Sequence, residues 1–376
     1  MRNNNFDNWN NPGDPGNGSE EYNYPDFYYK WDESLSKGIP PLFLGADELS
    51  EILEIYFNNK EVKKARKTID LALKFYPEDE ELLLDILLYL NDFELWDDLF
   101  SLSKKYKDIE NNVEVNGHQL TALLHLGMEE DAFLLFRKLK KQYENDKDNL
   151  SIIYQIMGES LNEIDLFDAS VKIMEEAVST TNPSPQYYWI LLNSYVALEL
   201  TDKIEETAGL LEKLSPLNQS TWFDLGNCYF EIENYGKAID AFEFSKSLGN
   251  TNAELYFSLI NAYEKNKNLQ KALETAKEYI QLFPDYHVVY LMAANLALDL
   301  NKEKEAIDLL DDALMANPES ESLYLYKSLI LLKMGEYKKA MKTIQEGIDK
   351  TEDANKELKK ELKRLQDEHP DLFPNS

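Results

Sequence analysis

The chain has 376 residues, with 39 Lys and Arg against 70 Asp and Glu and a net charge of −31. A polyanion of this strength is repelled by nucleic-acid phosphates and anionic lipid surfaces, which leaves protein as the expected partner and excludes nucleic acid and membrane. Cys228 is the sole cysteine, no apolar run approaches the ~20 residues that span a bilayer, and Met1-Arg2-Asn3-Asn4-Asn5 lacks an export signal's apolar core, so the expected location is cytoplasmic.

Residues 1–45 stand apart. Seven of the first eighteen residues are Asn, and the segment holds ten of the chain's 14 Gly and 13 Pro. The composition predicts a disordered or extended arm. Its second half carries Tyr22, Tyr24, Phe27, Tyr28, Tyr29 and Trp31, followed by Ile39 to Leu44. Those side chains need a surface, either the exposed edge of the first folded segment or a groove in which the arm lies as a pseudo-ligand.

From Ala46 onward, apolar residues recur at i, i+3, i+4 and i+7 in blocks of ten to fifteen residues between short polar turns. No strand-like alternation interrupts them. Residues 46–79 present Leu49, Ile52, Tyr56, Ala65, Ala72 and Pro77; 80–112 places Leu99 where a small residue is expected; 113–146 keeps only Ala132 and Phe136. The phase slips near Lys147. Six units of 34 residues then run in phase from 151 to 354.

The unit 219–252 is the clearest. Trp222, Leu225, Gly226 and Tyr229, followed by Ala238 and Phe242, fit W-x2-L-G-x2-Y and then A-x3-F. This resembles the tetratricopeptide repeat, a helix-turn-helix unit of about 34 residues. The resemblance covers 46–354, about nine units, with 80–146 degenerate and 151–354 strongest. It implies an all-α, right-handed superhelical solenoid, because no unit buries its apolar face without neighbours. Residues 355–376 are read as a capping helix and tail, with Leu358, Leu362 and Leu365 on one face.

No catalytic constellation accompanies the repeats. His118 and His125 are seven residues apart on one predicted helix, about 10 Å of rise, too far for one metal ion. Cys228 has no activating base in view, and there is neither a phosphate-binding glycine loop nor a G-x-S-x-G turn. The expectation is no enzyme, no cofactor and no metal.

The resemblance also implies that positions 2, 5, 9 and 12 of each unit face a groove. Position 9 reads Asn193, Asn227, Asn261 and Asn295; position 5 reads Trp189, Phe223, Phe257 and Leu291; position 12 includes Phe230 and Glu264. An Asn carboxamide can bond both the N–H and the C=O of an extended peptide, or alternatively a neighbouring helix. Lysine is missing from position 5, which argues against the family's carboxylate clamp. Glu159, Glu231, Glu254 and Glu264 favour a basic or neutral ligand with apolar side chains. The expected function is a non-catalytic interaction scaffold that captures a partner's peptide segment between about residues 185 and 300. The alternative is a structural subunit of a larger assembly that uses helix edges and convex faces. Self-association is left open.

Overall fold

The computed structural model describes residues 24–38, 43–106, 112–284, 287–351 and 355–368. Among the described residues there are twenty α-helices and no strand. The chain divides into two compact units, Met1–Gln142 and Tyr143–Ser376.

The first unit contains α1 (Asp26–Lys37), α2 (Ala46–Asn58), α3 (Val62–Phe75), α4 (Glu80–Asp92), α5 (Trp96–Lys105), α6 (Val113–His125) and α7 (Glu129–Gln142). Residues 1–23 and 39–42 of the expected arm lie outside the described residues, but α1 corrects the expectation for 26–37, which is helical rather than extended. The cause is spacing. Phe27, Tyr28, Trp31 and Leu35 fall on one helical face, Asp26 occupies the first turn, and Gly38 closes the helix at φ 64° with its N–H bonded to the Ser34 carbonyl. Trp31 is fully buried, and its indole N–H donates to Thr68 Oγ1 of α3 at 3.0 Å. Asp32 accepts from the Tyr56 hydroxyl at 3.0 Å and from Lys64 Nζ at 2.6 Å. The helix therefore covers the first repeat, and its apolar face continues the core around Leu49, Ile52 and Tyr56.

The second unit contains α8 (Lys147–Glu163), α9 (Phe167–Thr180), α10 (Pro185–Ala197), α11 (Thr201–Leu214), α12 (Gln219–Glu231), α13 (Tyr235–Ser247), α14 (Ala253–Lys265), α15 (Leu269–Leu282), α16 (His287–Asp299), α17 (Glu303–Ala316), α18 (Glu321–Lys333), α19 (Tyr337–Lys350) and α20 (Lys356–Glu368). Polar caps start several helices: Asn218 accepts from the backbone N–H of Ser220 and Thr221, and Asn234 from that of Lys237.

One turn geometry sets the register of both units. A residue with positive φ joins the two helices of each pair, at Lys60, Glu94, Gly127, Asp165, Glu199, Glu233, Lys267, Asn301 and Gly335. The next residue donates its N–H to the carbonyl five positions back at 2.8–2.9 Å, as in Glu61 to Tyr56 and Asn234 to Tyr229. From Asp165 to Gly335 the spacing is 34 residues throughout. The phase slip near Lys147 has a simple form: α8 has 17 residues where α10, α12 and α14 have 13, one extra helical turn.

Small residues bring paired helices together. Gly226 of α12 faces the ring of Phe242 in α13, and Gly158 of α8 faces Met174 of α9, with no room for a Cβ at either glycine. Successive pairs are tied by tyrosine hydroxyls donating to carboxylates one repeat back, Tyr195 to Glu175 at 3.0 Å and Tyr263 to Glu243 at 2.8 Å. Burial, together with these acids, pushes both phenols up. Outer Lys–Glu pairs such as Lys237–Glu205 at 2.7 Å are exposed and contribute about 0–1 kcal/mol each. Asp311 accepts from Lys327 of the following pair while keeping about half of its side chain exposed, at 49%. At the C-terminal end, Leu358 and Leu365 of α20 are buried against Tyr324 and Ile344, and Glu321 accepts from the first N–H groups of α20. Residues 369–376 of the expected tail lie outside the described residues.

Candidate functional site

The candidate site is built on the first helices of consecutive pairs in the second unit. α10 contacts α12, and α12 contacts α14. Each presents an asparagine at its ninth position because the 34-residue period repeats the same helical phase. Asn193 and Asn295 are exposed, and Asn227 and Asn261 are half-buried.

The row is flanked upstream by an engaged carboxylate and tied at its downstream end. Upstream, Glu159 of α8 accepts from Gln155 at 3.1 Å and from Gln186 of α10 at 2.8 Å. Downstream, the Tyr326 hydroxyl of α18 donates to Asn295 Oδ1. The carboxamides of Asn193, Asn227 and Asn261 make no hydrogen bond among the described residues. Other amides are engaged: Asn162 Nδ2 donates to the Ile190 carbonyl at 3.0 Å while its oxygen accepts from Ser194, and buried Asn250 donates to Ser245 Oγ at 3.0 Å.

The neighbouring row is less uniform. Trp189, Phe223 and Leu291 are half-buried, and Phe257 is 41% exposed. Phe223 leans on Phe242 with ring centroids 5.7 Å apart, so part of its face belongs to the core. Phe230 packs edge-on against Tyr235 at 5.3 Å, and Glu264 is exposed.

Two titrating groups lie among these residues. Asp224, next to Phe223, keeps surface open to water yet is crowded by protein and faces the Glu254 carboxylate, and its carboxyl is pushed up to about 6. The half-buried Cys228 thiol is pushed up to about 12 by burial and by the Asp224 and Glu231 carboxylates. It stays protonated at neutral pH, the opposite of an activated nucleophile.

The histidines stand elsewhere. Burial pushes half-buried His118 down to about 4, and His125 stacks on Trp96 with centroids 3.9 Å apart. His369 and the side chain of His287 are outside the described residues. Among the described residues no group of three or more His, Cys, Asp or Glu side chains is arranged to hold a metal ion, and no helix is long and apolar enough to cross a membrane. Sequence reasoning missed Gln186, Tyr326 and Asp224. A signal for Tyr326 exists in retrospect, since it follows Asn295 by 31 residues, and Asp224 follows Asn193 by the same interval.

Family models described as tetratricopeptide repeat match residues 219–244, 263–329 and 297–365. No curated protein matches the sequence. Among solved structures, the C-terminal part of a tetratricopeptide repeat protein from Cytophaga hutchinsonii has a TM-score of 0.50 at 15% identity, over 65% of this chain and 99% of that one. A tetratricopeptide repeat protein from Parabacteroides merdae gives 0.39 at 16% identity over 72% and 98%. MamA gives 0.37 at 21% identity over 45% and 92%.

Proposed function

We propose that this chain, a tetratricopeptide repeat protein and an interaction scaffold, captures an extended peptide segment of a partner protein along the first helices α10, α12, α14 and α16. The carrying observation is the run of carboxamides at Asn193, Asn227 and Asn261, placed one per repeat and left without a hydrogen bond among the described residues. An amide used only to join helices resembles Asn162, bonded on both its nitrogen and its oxygen. Neighbouring helices pack 8–10 Å apart, about three residues of extended chain, so successive amides fall in step with a peptide's backbone.

Trp189 and Phe257 offer apolar surface beside the amides. Asp224, Glu254 and Glu264 favour Lys or Arg side chains or neutral ones, and repel an acidic segment. The ligand is therefore basic or neutral, with apolar side chains. The role is non-catalytic and the expected location is cytoplasmic.

The test is selection of random phage-displayed peptides on the full chain, with the Asn227→Ala/Asn261→Ala variant as counter-selection. Peptides combining Lys or Arg with apolar residues, retained by the wild type and lost by the variant, are the expected result. A peptide set that the variant retains equally well overturns the reading in favour of a structural subunit that works through other faces.

A further inference from the structure

The second helices of the first unit carry a charge opposite to that of the chain. α3, α5 and α7 hold eleven Lys and Arg against six Asp and Glu, a net +5. The first helices α2, α4 and α6 hold nine acids and no Lys or Arg. Because α2 contacts α4 and α4 contacts α6, the first helices form one layer and the basic helices lie on its other side.

This basic face is open. A cleft of about 530 Å³ separates α3 from α5, with Ile69, Leu73, Leu90 and Leu102 in its lining and Lys74 and Lys105 beside them. Its acids are Asp98, held by Arg66 across the cleft at 2.6 Å, and Asp70. A second cleft of about 600 Å³ separates α5 from α7, lined by Phe100, Leu123, Leu134 and Leu135, with Lys104, Lys138 and one acid, Asp131. Leu134 is 61% exposed. Lys74, Lys104, Lys105 and Lys138 make no ion pair among the described residues.

We propose that this face docks an acidic amphipathic helix of a partner protein. Its apolar side seats in the clefts flanking α5, and its carboxylates meet the four lysines. Clefts between neighbouring helices are linear, and a helix with apolar residues at i, i+3, i+4 and i+7 fills such a groove. Lysine stems extend the apolar wall while their ammonium groups stay in water. Charge fixes the partner's sign: helices that carry a net +5 in a chain of −31, with four lysines beside the clefts that make no ion pair among the described residues, select against basic segments there. An anionic membrane meets the same lysines but also the repulsion of the whole chain.

The test uses the full chain and a fluorescein-labelled 18-residue peptide of Leu and Glu with Leu at helical spacing. Its Leu/Lys counterpart and vesicles of phosphatidylcholine with phosphatidylserine serve as the other probes. The expected result is salt-sensitive binding of the Leu/Glu peptide, weakened about tenfold or more in Lys74→Glu/Lys105→Glu and in Lys104→Glu/Lys138→Glu at unchanged helicity. Asn227→Ala/Asn261→Ala leaves that binding intact, which separates this face from the asparagine row. Failure of the Leu/Glu peptide to bind, equal affinity in the charge-reversed variants, or their loss of vesicle binding instead, overturns the proposal.

Discussion

Gly226 and Phe242 touch so closely that a Cβ on the glycine would lie far inside van der Waals contact distance of the ring carbons Cδ1 and Cε1. The two helices of that repeat approach because one of them has no side chain at the crossing. Gly226→Ala forces the ring out of a fully buried site, an overpacking cost of about 1–3 kcal/mol. Thermal unfolding followed by circular dichroism is expected to show a lowered midpoint. Adding Phe242→Leu should recover part of the loss, because the smaller side chain relieves the clash.

Trp31 joins α1 to the first repeat through a buried side chain and one hydrogen bond. Trp31→Ala removes both, a loss of about 3–5 kcal/mol by analogy with other large core truncations. Trp31→Phe keeps most of the volume but leaves Thr68 Oγ1 without its donor, at about 1–3 kcal/mol. Hydrogen exchange is expected to speed up in α2 and α3 in that order of severity. Unchanged exchange in both variants would mean that α1 contributes little to the first unit.

Seven of the nine turn residues with positive φ are not glycine. An L side chain in that conformation costs about 1–2 kcal/mol, so Glu233→Gly and Lys267→Gly should each raise the unfolding midpoint. Gly335→Ala, at φ 77°, should lower it. Thermal melts of the three variants check the sign at each site.

Asp224 sets a pH window. Its carboxyl titrates near 6 in the free protein, above the ordinary aspartate value, because crowding and Glu254 disfavour the charge. A raised carboxyl pKa means that the charged form is penalised in the fold, so this group favours the folded state more as pH falls through about 6. Binding has the opposite sign: a cationic ligand needs the carboxylate, and its affinity should fall between pH 7 and pH 5. Asp224→Asn should flatten that fall. His118, pushed down to about 4 by burial, stays neutral in the folded chain across this window and leaves ligand binding unchanged, but because an unfolded imidazole takes up its proton at about pH 6.5, it lowers stability as pH falls, opposing Asp224.

Much of this was legible in the sequence because the repeat writes the same contact many times. Gly226, Tyr229, Ala238 and Phe242 name one helix crossing, and the 34-residue period carries it along the second unit. The asparagine row follows from the same period. What the sequence hid was set between repeats or by local context. Gln186 engages Glu159 beside the row and Tyr326 engages its last amide, Asn295, through contacts with residues 27 and 31 positions back. The helix α1 was obscured because its Phe27, Tyr28, Trp31 and Leu35 follow a stretch whose Asn, Gly and Pro content suggests no fold. The clefts beside α5 depend on how far α3 and α7 stand from it, a distance that no periodicity encodes.

The decisive measurement is a titration of one selected basic peptide into the wild type, Asn227→Ala, Asn261→Ala and the double variant, each checked for matched helicity and melting midpoint. Each carboxamide that bonds the peptide backbone is worth about 0.5–1.5 kcal/mol per hydrogen bond, so the double variant should bind about tenfold or more weakly with its midpoint unchanged. An unchanged affinity accompanied by a lowered midpoint would contradict peptide capture and make the asparagines part of the fold's own packing.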